Sequence, residues 1–466
     1  MNTVLKVTDA AVFAGNKQLV EPTSFELAQG RVLTIVGETG SGKSLLAQAV
    51  AGLLPDGLSA TGVANLNGTH FDLAKPASLR PLWGRTLGIL PQEPWLALDP
   101  TMRALDQVAE GHRLVRHLER AAALDEARRD LKALGVEDAE GKLPDQLSGG
   151  MAQRVAFAAA RAGGARIVIA DEPTKGLDVA RRDDVIALLM KEVEAGGSVL
   201  VITHDLALAR QMGGEIAVVL QGQVIEKGET EAVLSNPSHD YTKRLIAADP
   251  ANWTAMARQG LQSEPILVAD ALSKTRGGKL LFSGQNLKIH RGEIIGVSGP
   301  SGSGKSSLGD ILLGLIKPDD GVIARLPGAA RHRFQKIYQD PPSSFPARIT
   351  IGQNLDDLIR LHGLDRRILS ALLKRLRLSE DLLQRRPSDV SGGELQRLSI
   401  ARAMLLEPVF LFADEPTSRL DPITQQETVD LLVELARERD CAILLTSHDK
   451  ALIDKTCDKV IDIAAA

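Results

Sequence analysis

Short hydrophobic runs alternate along this chain with stretches of helical spacing, and the whole alternation passes twice. Val4-Leu5-Lys6-Val7 and Ser24-Phe25-Glu26-Leu27 read as β runs, and Val32-Leu33-Thr34-Ile35-Val36 as an apolar strand. Leu45, Leu46 and Val50 follow at helical spacing, and Gly52, Pro55 and Gly57 break that helix. A β-rich stretch from Val63 to Gly68 and a buried strand, Leu87-Gly88-Ile89-Leu90, come next. Residues 104–147 are rich in Ala, Leu, Arg and Glu with no strand pattern, which predicts a helical insert. Apolar strands then return at Ile167-Val168-Ile169-Ala170 and Val199-Leu200-Val201-Ile202, with a helix from Val185 to Glu194 between them. Strands alternating with helices predict an α/β fold whose parallel sheet is covered on both faces.

From 236 to 264 the pattern weakens, and past Pro265 it starts again. Ile266-Leu267-Val268, Ile294-Ile295-Gly296-Val297, the helical Leu308, Ile311 and Leu312, then Phe410-Leu411-Phe412-Ala413 and Leu444-Leu445 repeat the first programme. The expected organisation is a first domain over 1–235, an extension and linker over 236–264, and a second, trimmed domain over 265–466.

Each half carries chemistry at the ends of its apolar strands. Gly37-Glu38-Thr39-Gly40-Ser41-Gly42-Lys43-Ser44 and Gly299-Pro300-Ser301-Gly302-Ser303-Gly304-Lys305-Ser306 fit the G-x-x-x-x-G-K-[ST] loop that wraps the phosphates of a nucleotide. Glycines let successive N–H groups turn inward, lysine brings a cation to the β and γ phosphates, and serine offers a hydroxyl to Mg²⁺. The strand before and the helix after each loop aim a helix N-terminus at the anion. Asp171-Glu172-Pro173-Thr174 and Asp414-Glu415-Pro416-Thr417 close apolar strands. Carboxylates there are expected in a site, because burying them without a task is costly. Asp171 and Asp414 suit Mg²⁺, and Glu172 and Glu415 suit taking a proton from an attacking water. Gln92 and Gln339 suit contact with metal and water, and His204 and His448, at matched strand ends, suit contact with the γ-phosphate. Phe13 is a candidate for stacking on a base, as an alternative to a core position, and Arg276 takes its place in the second half.

Spacing separates duplication from coincidence. Ser148 to Asp171 and Ser391 to Asp414 are both 23 positions, and Glu172 to His204 and Glu415 to His448 are 32 and 33. Loop serine to glutamine differs, at 48 positions in the first half and 33 in the second.

Composition narrows the setting. The 466 residues are 44% hydrophobic and 24% charged with a net charge of −4, an ordinary globular balance with no basic field for nucleic acid or an anionic membrane. Cys441 and Cys457 are the two cysteines, too few for a disulfide framework or an iron–sulfur cluster, which favours a reducing compartment. No run approaches the roughly 20 apolar residues that cross a bilayer, and the N-terminus lacks a signal-peptide pattern. Any membrane role requires a separate spanning subunit.

The doubled set of phosphate loop, glutamine, Leu147-Ser148-Gly149-Gly150 or Val390-Ser391-Gly392-Gly393, Asp-Glu-Pro-Thr and histidine resembles the tandem nucleotide-binding domains of an ATP-binding cassette (ABC) ATPase. The resemblance covers nearly the whole chain. It implies two P-loop NTPase domains, each a parallel-sheet core with a β subdomain and a helical insert, using ATP and Mg²⁺. It also implies head-to-tail pairing, each ATP held between one phosphate loop and the other domain's signature. Site one then unites Gly37–Ser44, Gln92, Asp171, Glu172 and His204 with Ser391-Gly392-Gly393. Site two unites Gly299–Ser306, Gln339, Asp414, Glu415 and His448 with Ser148-Gly149-Gly150. Neither loop is then expected to hydrolyse ATP efficiently alone. The sequence departs from the family at Val390 and at Lys175-Gly176-Leu177-Asp178, where Ser-x-Leu-Asp is commoner; Ser418-Arg419-Leu420-Asp421 is nearer.

Two readings of the cassette pair compete. A twin cassette acting on ribosomes or DNA usually carries a long charged linker or inserted zinc or DNA-contacting domains, none of which is seen here, so transport is favoured. The stretches from Gln92 to Pro100 and from Gln339 to Phe345 look like those of the oligopeptide, dipeptide and nickel importer ATPases. Asn236-Pro237-Ser238-His239-Asp240-Tyr241-Thr242 is similar to that family's N-P-x-H-P-Y-T segment; a plain turn and linker is the other reading of this stretch. The implied assembly lies on the cytoplasmic face of the inner membrane, with two permease subunits and an extracytoplasmic binding protein. Peptides, nickel or a metal–chelator complex are open as cargo, and export is the alternative direction.

Overall fold

The computed structural model describes residues 2–92, 97–175, 179–257, 264–300, 302–418 and 420–463. The chain divides into two compact units, Met1–Ile246 and Ala247–Ala466.

In the first unit, strands β1 (Thr3–Ala14), β2 (Lys17–Ala28), β3 (Val32–Val36), β4 (Leu58–Leu66), β5 (Thr69–Asp72), β6 (Leu87–Leu90), β7 (Ile167–Asp171), β8 (Ser198–Thr203), β9 (Glu215–Leu220) and β10 (Gln223–Glu229) form two sheets. One is antiparallel, in the order β2-β1-β4-β5, and the other runs β10-β9-β3-β8-β7-β6. Only β10 is antiparallel to its neighbour in the second sheet. The unit's helices are α1 (Lys43–Ala51), α2 (Ala104–Glu110), α3 (Arg120–Ala133), α4 (Gly149–Arg161), α5 (Val179–Glu194), α6 (Leu206–Met212), α7 (Thr230–Ser235) and α8 (Asp240–Ala247). β3 and β8 are buried at every position and so on both faces, as a parallel sheet requires. One face packs with α1 against the antiparallel sheet, through Leu33, Ile35, Leu46, Val50 and Phe25. The other packs against the helices, through Val168, Val199, Val155, Phe157 and Leu131. The helical insert expected over 104–147 is α2, a π-helical turn at Gly111–Val115, and α3.

The second unit repeats this plan in a shorter chain. It contains β11 (Pro265–Arg276), β12 (Lys279–His290), β13 (Ile294–Ser298), β14 (Asp320–Arg325), β15 (Phe334–Ile337), β16 (Phe410–Asp414), β17 (Ala442–Thr446) and β18 (Lys459–Asp462). Its helices are α9 (Lys305–Leu313), α10 (Ile351–His362), α11 (Arg366–Arg375), α12 (Gly392–Leu405), α13 (Pro422–Glu438) and α14 (Lys450–Thr456). The sheets are β12-β11-β14, antiparallel, and β15-β16-β17-β13-β18, parallel. The unequal distance from loop serine to glutamine has a structural cause. The first unit inserts β5 and two 3₁₀ turns, Pro76–Ser78 and Arg80–Leu82, where the second passes from β14 to β15 through one 3₁₀ turn. The stretch expected as linker is divided: α8 buries Tyr241 and Leu245 in the first unit, whereas Trp253 joins the second unit's core.

Equivalent packing is solved differently in the two halves. Phe412 of β16 is fully buried, and a Cβ on Gly309 of α9 would lie 2.3 Å from its ring. The matching positions in the first unit are Ile169 and Ala47, both buried. The larger ring thus requires the smaller helix residue. Gly309→Ala should therefore lower the stability of the second unit by about 1–2 kcal/mol, overpacking outweighing the gain in helix propensity. Adding Phe412→Ile should recover most of that loss in denaturant unfolding of the full chain, and an unchanged midpoint for Gly309→Ala alone would contradict this packing.

Candidate functional site

Register sets the site. In the first unit β3 lies between β8 and β9, and β7 flanks β8. Val36 pairs with Thr203 and Asp171 with Ile202, so the phosphate loop, Asp171-Glu172 and Thr203-His204 all leave the sheet at one edge. In the second unit Val297 and Asp414 both pair with Thr446, giving the same arrangement. This carboxyl edge is where open parallel sheets take ligands.

Each loop turns into its helix through a left-handed glycine, Gly42 at φ 91° before α1 and Gly304 at φ 100° before α9. The first loop glycines are fixed by proximity: a Cβ on Gly37 would lie 2.2 Å from the Val219 carbonyl oxygen, and one on Gly299 would lie 2.6 Å from that of Ile463. Lys43 Nζ donates to the carbonyls of Gly37 (2.8 Å) and Glu38 (2.7 Å), and Lys305 Nζ to those of Gly299 (2.7 Å) and Pro300 (3.1 Å). Both lysines are buried against the curled backbone. Ser301 lies outside the described residues.

The loop serines donate across to the strand-end aspartates, Ser44 Oγ to Asp171 Oδ1 and Ser306 Oγ to Asp414 Oδ1, each at 2.9 Å. A hydroxyl and a carboxylate are hard oxygen donors and fit Mg²⁺, which takes few protein ligands and completes its shell with phosphate and water. Burial raises the Asp171 carboxyl to about 6, helped by neighbouring Glu172 and opposed by the Ser44 hydrogen bond.

The glutamates stand in a strained backbone conformation. Glu172 and Glu415 both stand at φ 48°, the left-handed region that side chains other than glycine disfavour. Such strain persists only where its surroundings over-determine it. Here the surroundings include the histidines: His204 Nδ1 lies 2.8 Å from Glu172 Oε1, and His448 Nε2 lies 2.7 Å from Glu415 Oε1. Burial works to raise the Glu172 carboxyl, but His204, with Lys175 and Lys43, outweighs it and holds the group below the ordinary carboxylate range. In the second unit Gln339 Nε2 also donates to Glu415 Oε2 at 2.7 Å, whereas Gln92 is exposed. The two histidines thus meet the glutamates, a contact that sequence reasoning did not specify.

Signature serines cap helices. Ser148 accepts from the Met151 N–H at the start of α4, and Ser391 from the Glu394 N–H at the start of α12, where Glu394 returns a capping-box bond. A Cβ on Gly149, Gly150 or Gly392 would meet nothing within 4 Å among the described residues. Packing within their own units therefore does not explain why these positions are glycine. Buried Gln153 of α4 donates to the Pro173 carbonyl at 2.7 Å, tying the signature helix to the turn that holds Glu172.

Other readings change. Phe13 pairs with Gln18 in its hairpin, and the equivalent pair in the second unit is Thr275 with Leu280; Thr275, not Arg276, occupies the place of Phe13. A linear count from the phosphate loops agrees, since Phe13 lies 24 positions before Gly37 (37 − 13) and Thr275 lies 24 before Gly299 (299 − 275). Residues 93–96, 176–178 and 419, which include parts of the glutamine stretch and of both aspartate loops, lie outside the described residues. Lys336, which sequence reasoning passed over, sits 3.2 Å from Asp414 Oδ2 and 2.7 Å from Asp310 Oδ1. Its signal was a charge inside the apolar-edged run Phe334-Gln335-Lys336-Ile337, where the first half has Ile89.

With this geometry in view, comparison with known proteins is direct. The family described as ABC transporter matches residues 20–175 and 282–418. The peptidoglycan transport ATP-binding protein YejF of Agrobacterium fabrum is 32% identical over 95% of this chain and 87% of its own length. The glutathione import ATP-binding protein GsiA of Escherichia coli K12 is 32% identical over 95% of this chain and 81% of its own. Among solved structures, the archaeal ribosome recycling factor aABCE1, in complex with a ribosomal stalk protein, shares the fold with a TM-score of 0.65. It has 24% identity over 95% of this chain and 85% of its own. The chain belongs to the ABC transporter family and is a tandem-cassette ATPase.

Proposed function

We propose that this chain is the ATP-hydrolysing subunit of an importer, each half supplying one phosphate loop and one signature to a pair of composite ATP sites. The observation that carries the hydrolytic part is the matched geometry at the strand ends. In both units a loop serine meets an aspartate, and a strained glutamate meets a histidine. Lys43 and Lys305 stand ready to exchange backbone carbonyls for phosphate oxygens. Ser44 with Asp171, and Ser306 with Asp414, would hold Mg²⁺, which when bound offsets charge on the transferring phosphoryl group. Glu172 and Glu415 accept a proton from the attacking water, and the histidine beside each fixes its carboxylate. Gln339, hydrogen-bonded to Glu415, is in place to orient that water.

The composite reading pairs Gly37–Ser44 with Ser391-Gly392-Gly393, and Gly299–Ser306 with Ser148-Gly149-Gly150. The glycines left uncovered in their own units support it, because a bare helix N-terminus is an anion clamp. Import is supported by the relatives named for peptidoglycan transport and glutathione import, each aligned along 95% of this chain. Those names favour a cargo containing peptide bonds over nickel. In this reading two permease subunits provide the passage and an extracytoplasmic protein the cargo; no described helix is long and apolar enough to cross a membrane. The chain then sits on the cytoplasmic face of the inner membrane. Likeness to the ribosome recycling factor extends to the fold alone. Affinity purification of the chain from its own cells should recover two membrane permeases; recovery with ribosomes and without permeases would overturn the transport reading.

Two further outcomes follow from the site. Glu172→Gln and Glu415→Gln together should lower ATP hydrolysis by about 10²-fold or more while ATP still binds. A double variant that hydrolyses at the normal rate would remove both glutamates from the mechanism. In protein kept free of metal, the Asp171 carboxyl titrates at about 6 in the folded state against 3.8 when unperturbed. Between those values this carboxyl holds more protons in the folded state, so Asp171 contributes a loss of stability as pH rises from about 4 to about 6 and no further change above. Asp171→Asn should abolish that slope and raise stability at pH 7 by about 1–3 kcal/mol. Denaturant titrations across this pH range in the presence of a chelator measure it, and an unchanged slope would contradict the assignment.

A further inference from the structure

We infer that Tyr241 is a positioning residue for the first phosphate loop, and that the second loop meets the same need with Pro300. The inference rests on reading Gly37–Ser44 as a nucleotide site. The peptide joining Gly37 to Glu38 is held at both ends. Its carbonyl accepts from Lys43 Nζ at 2.8 Å, and its N–H donates to Tyr241 Oη at 2.8 Å. Lys43 reaches the next carbonyl, that of Glu38, as well, so the tilt of this peptide sets where the ammonium rests. The Glu38 N–H is half-buried and Tyr241 is only 6% exposed, so the phenol supplies the acceptor that this donor requires.

The phenol is itself fixed. Tyr241 lies in the first turn of α8, and its N–H donates to His239 Nδ1 at 3.0 Å. The segment before it is clamped to β10: Glu226 accepts from the Ser238 N–H and hydroxyl, both at 2.7 Å, and from the His239 N–H at 3.2 Å. Burial tends to raise the Glu226 carboxyl, yet the hydrogen bonds from this segment hold it down to about 2, so the clamp stays charged across physiological pH. β10 is the antiparallel neighbour of β9, and β9 pairs with β3, the strand that feeds the loop. The segment Asn236–Thr242 thus closes a ring of contacts from strand to loop and back. It also makes α8 the element through which the chain leaves the first unit, since the boundary falls at Ile246.

The second loop provides the internal control. The peptide before Pro300 has its carbonyl on Lys305 Nζ at 2.7 Å, matching Gly37. Its nitrogen carries no hydrogen, because proline removes the donor and fixes φ with its ring. One loop satisfies the N–H with a tyrosine; the other has no N–H to satisfy.

The test uses the full chain with Lys305→Ala, so that ATP affinity in the presence of Mg²⁺, read by displacement of a fluorescent nucleotide, reports the first loop. Tyr241→Phe keeps the ring and removes the acceptor, and should weaken ATP binding about five- to twentyfold with little change in unfolding midpoint. Glu38→Pro added to Tyr241→Phe should restore affinity to within about twofold, because the orphaned donor is gone. Normal affinity in Tyr241→Phe would overturn the inference. So would a weakening accompanied by a lower unfolding midpoint and not rescued by Glu38→Pro, which marks Tyr241 as packing alone. Lys43→Ala separates the two levels. If it abolishes binding while Tyr241→Phe does not, only the role of Tyr241 falls; if neither alters binding, the nucleotide reading of the loop falls with it.

Discussion

A serine hydroxyl donating to a strand-end aspartate joins the phosphate loop to the acidic turn in each unit, Ser44 to Asp171 and Ser306 to Asp414. The bond is possible only because both segments emerge from the same edge of a parallel sheet. That requirement explains much of the rest. The loop strand must be central, its neighbours must be apolar on both faces, and helices must cover the sheet so that polar groups collect at its edge. Burial of Asp171 at that edge raises its carboxyl to about 6. The fold thus maintains a costly charge beside the phosphate loop.

The glutamate that follows shows the same logic in the backbone. Its left-handed conformation costs about 1–2 kcal/mol in each unit, and glycine would relieve it. The chain keeps glutamate at both places and secures it with histidine from the adjacent strand end. The strain is not peculiar to the glutamates, since Asp9 of β1 and Ala271 of β11, again equivalent positions, stand at φ 49° and 50°; what distinguishes Glu172 and Glu415 is the histidine held against each carboxylate.

Divergence between the halves is as informative as their likeness. Gly309 with Phe412 replaces Ala47 with Ile169, so volume moved from helix to strand while the layer spacing was kept. Lys336 introduces a cation beside Asp414 where the first half has Ile89. Pro300 replaces Glu38, and a tyrosine on α8 serves the N–H that the proline lacks. Each change is local, and each leaves the serine–aspartate bond at the same 2.9 Å.

The sequence by itself determined the duplication, the α/β class, the phosphate loops, the acidic strand ends and the histidines. These depend on local periodicity and on short motifs whose residues lie within one turn of chain. The place of Phe13 was legible too, since counting back 24 positions from each phosphate loop (37 − 13 and 299 − 275) assigns Thr275, not Arg276, and the hairpin pairings agree. Tertiary structure alone decided that the histidines meet the glutamates, that both glutamates are strained, and that Tyr241 reaches the Glu38 N–H across 203 positions of chain. Such contacts are set by how strands stack and where a helix is clamped, and no linear pattern encodes them.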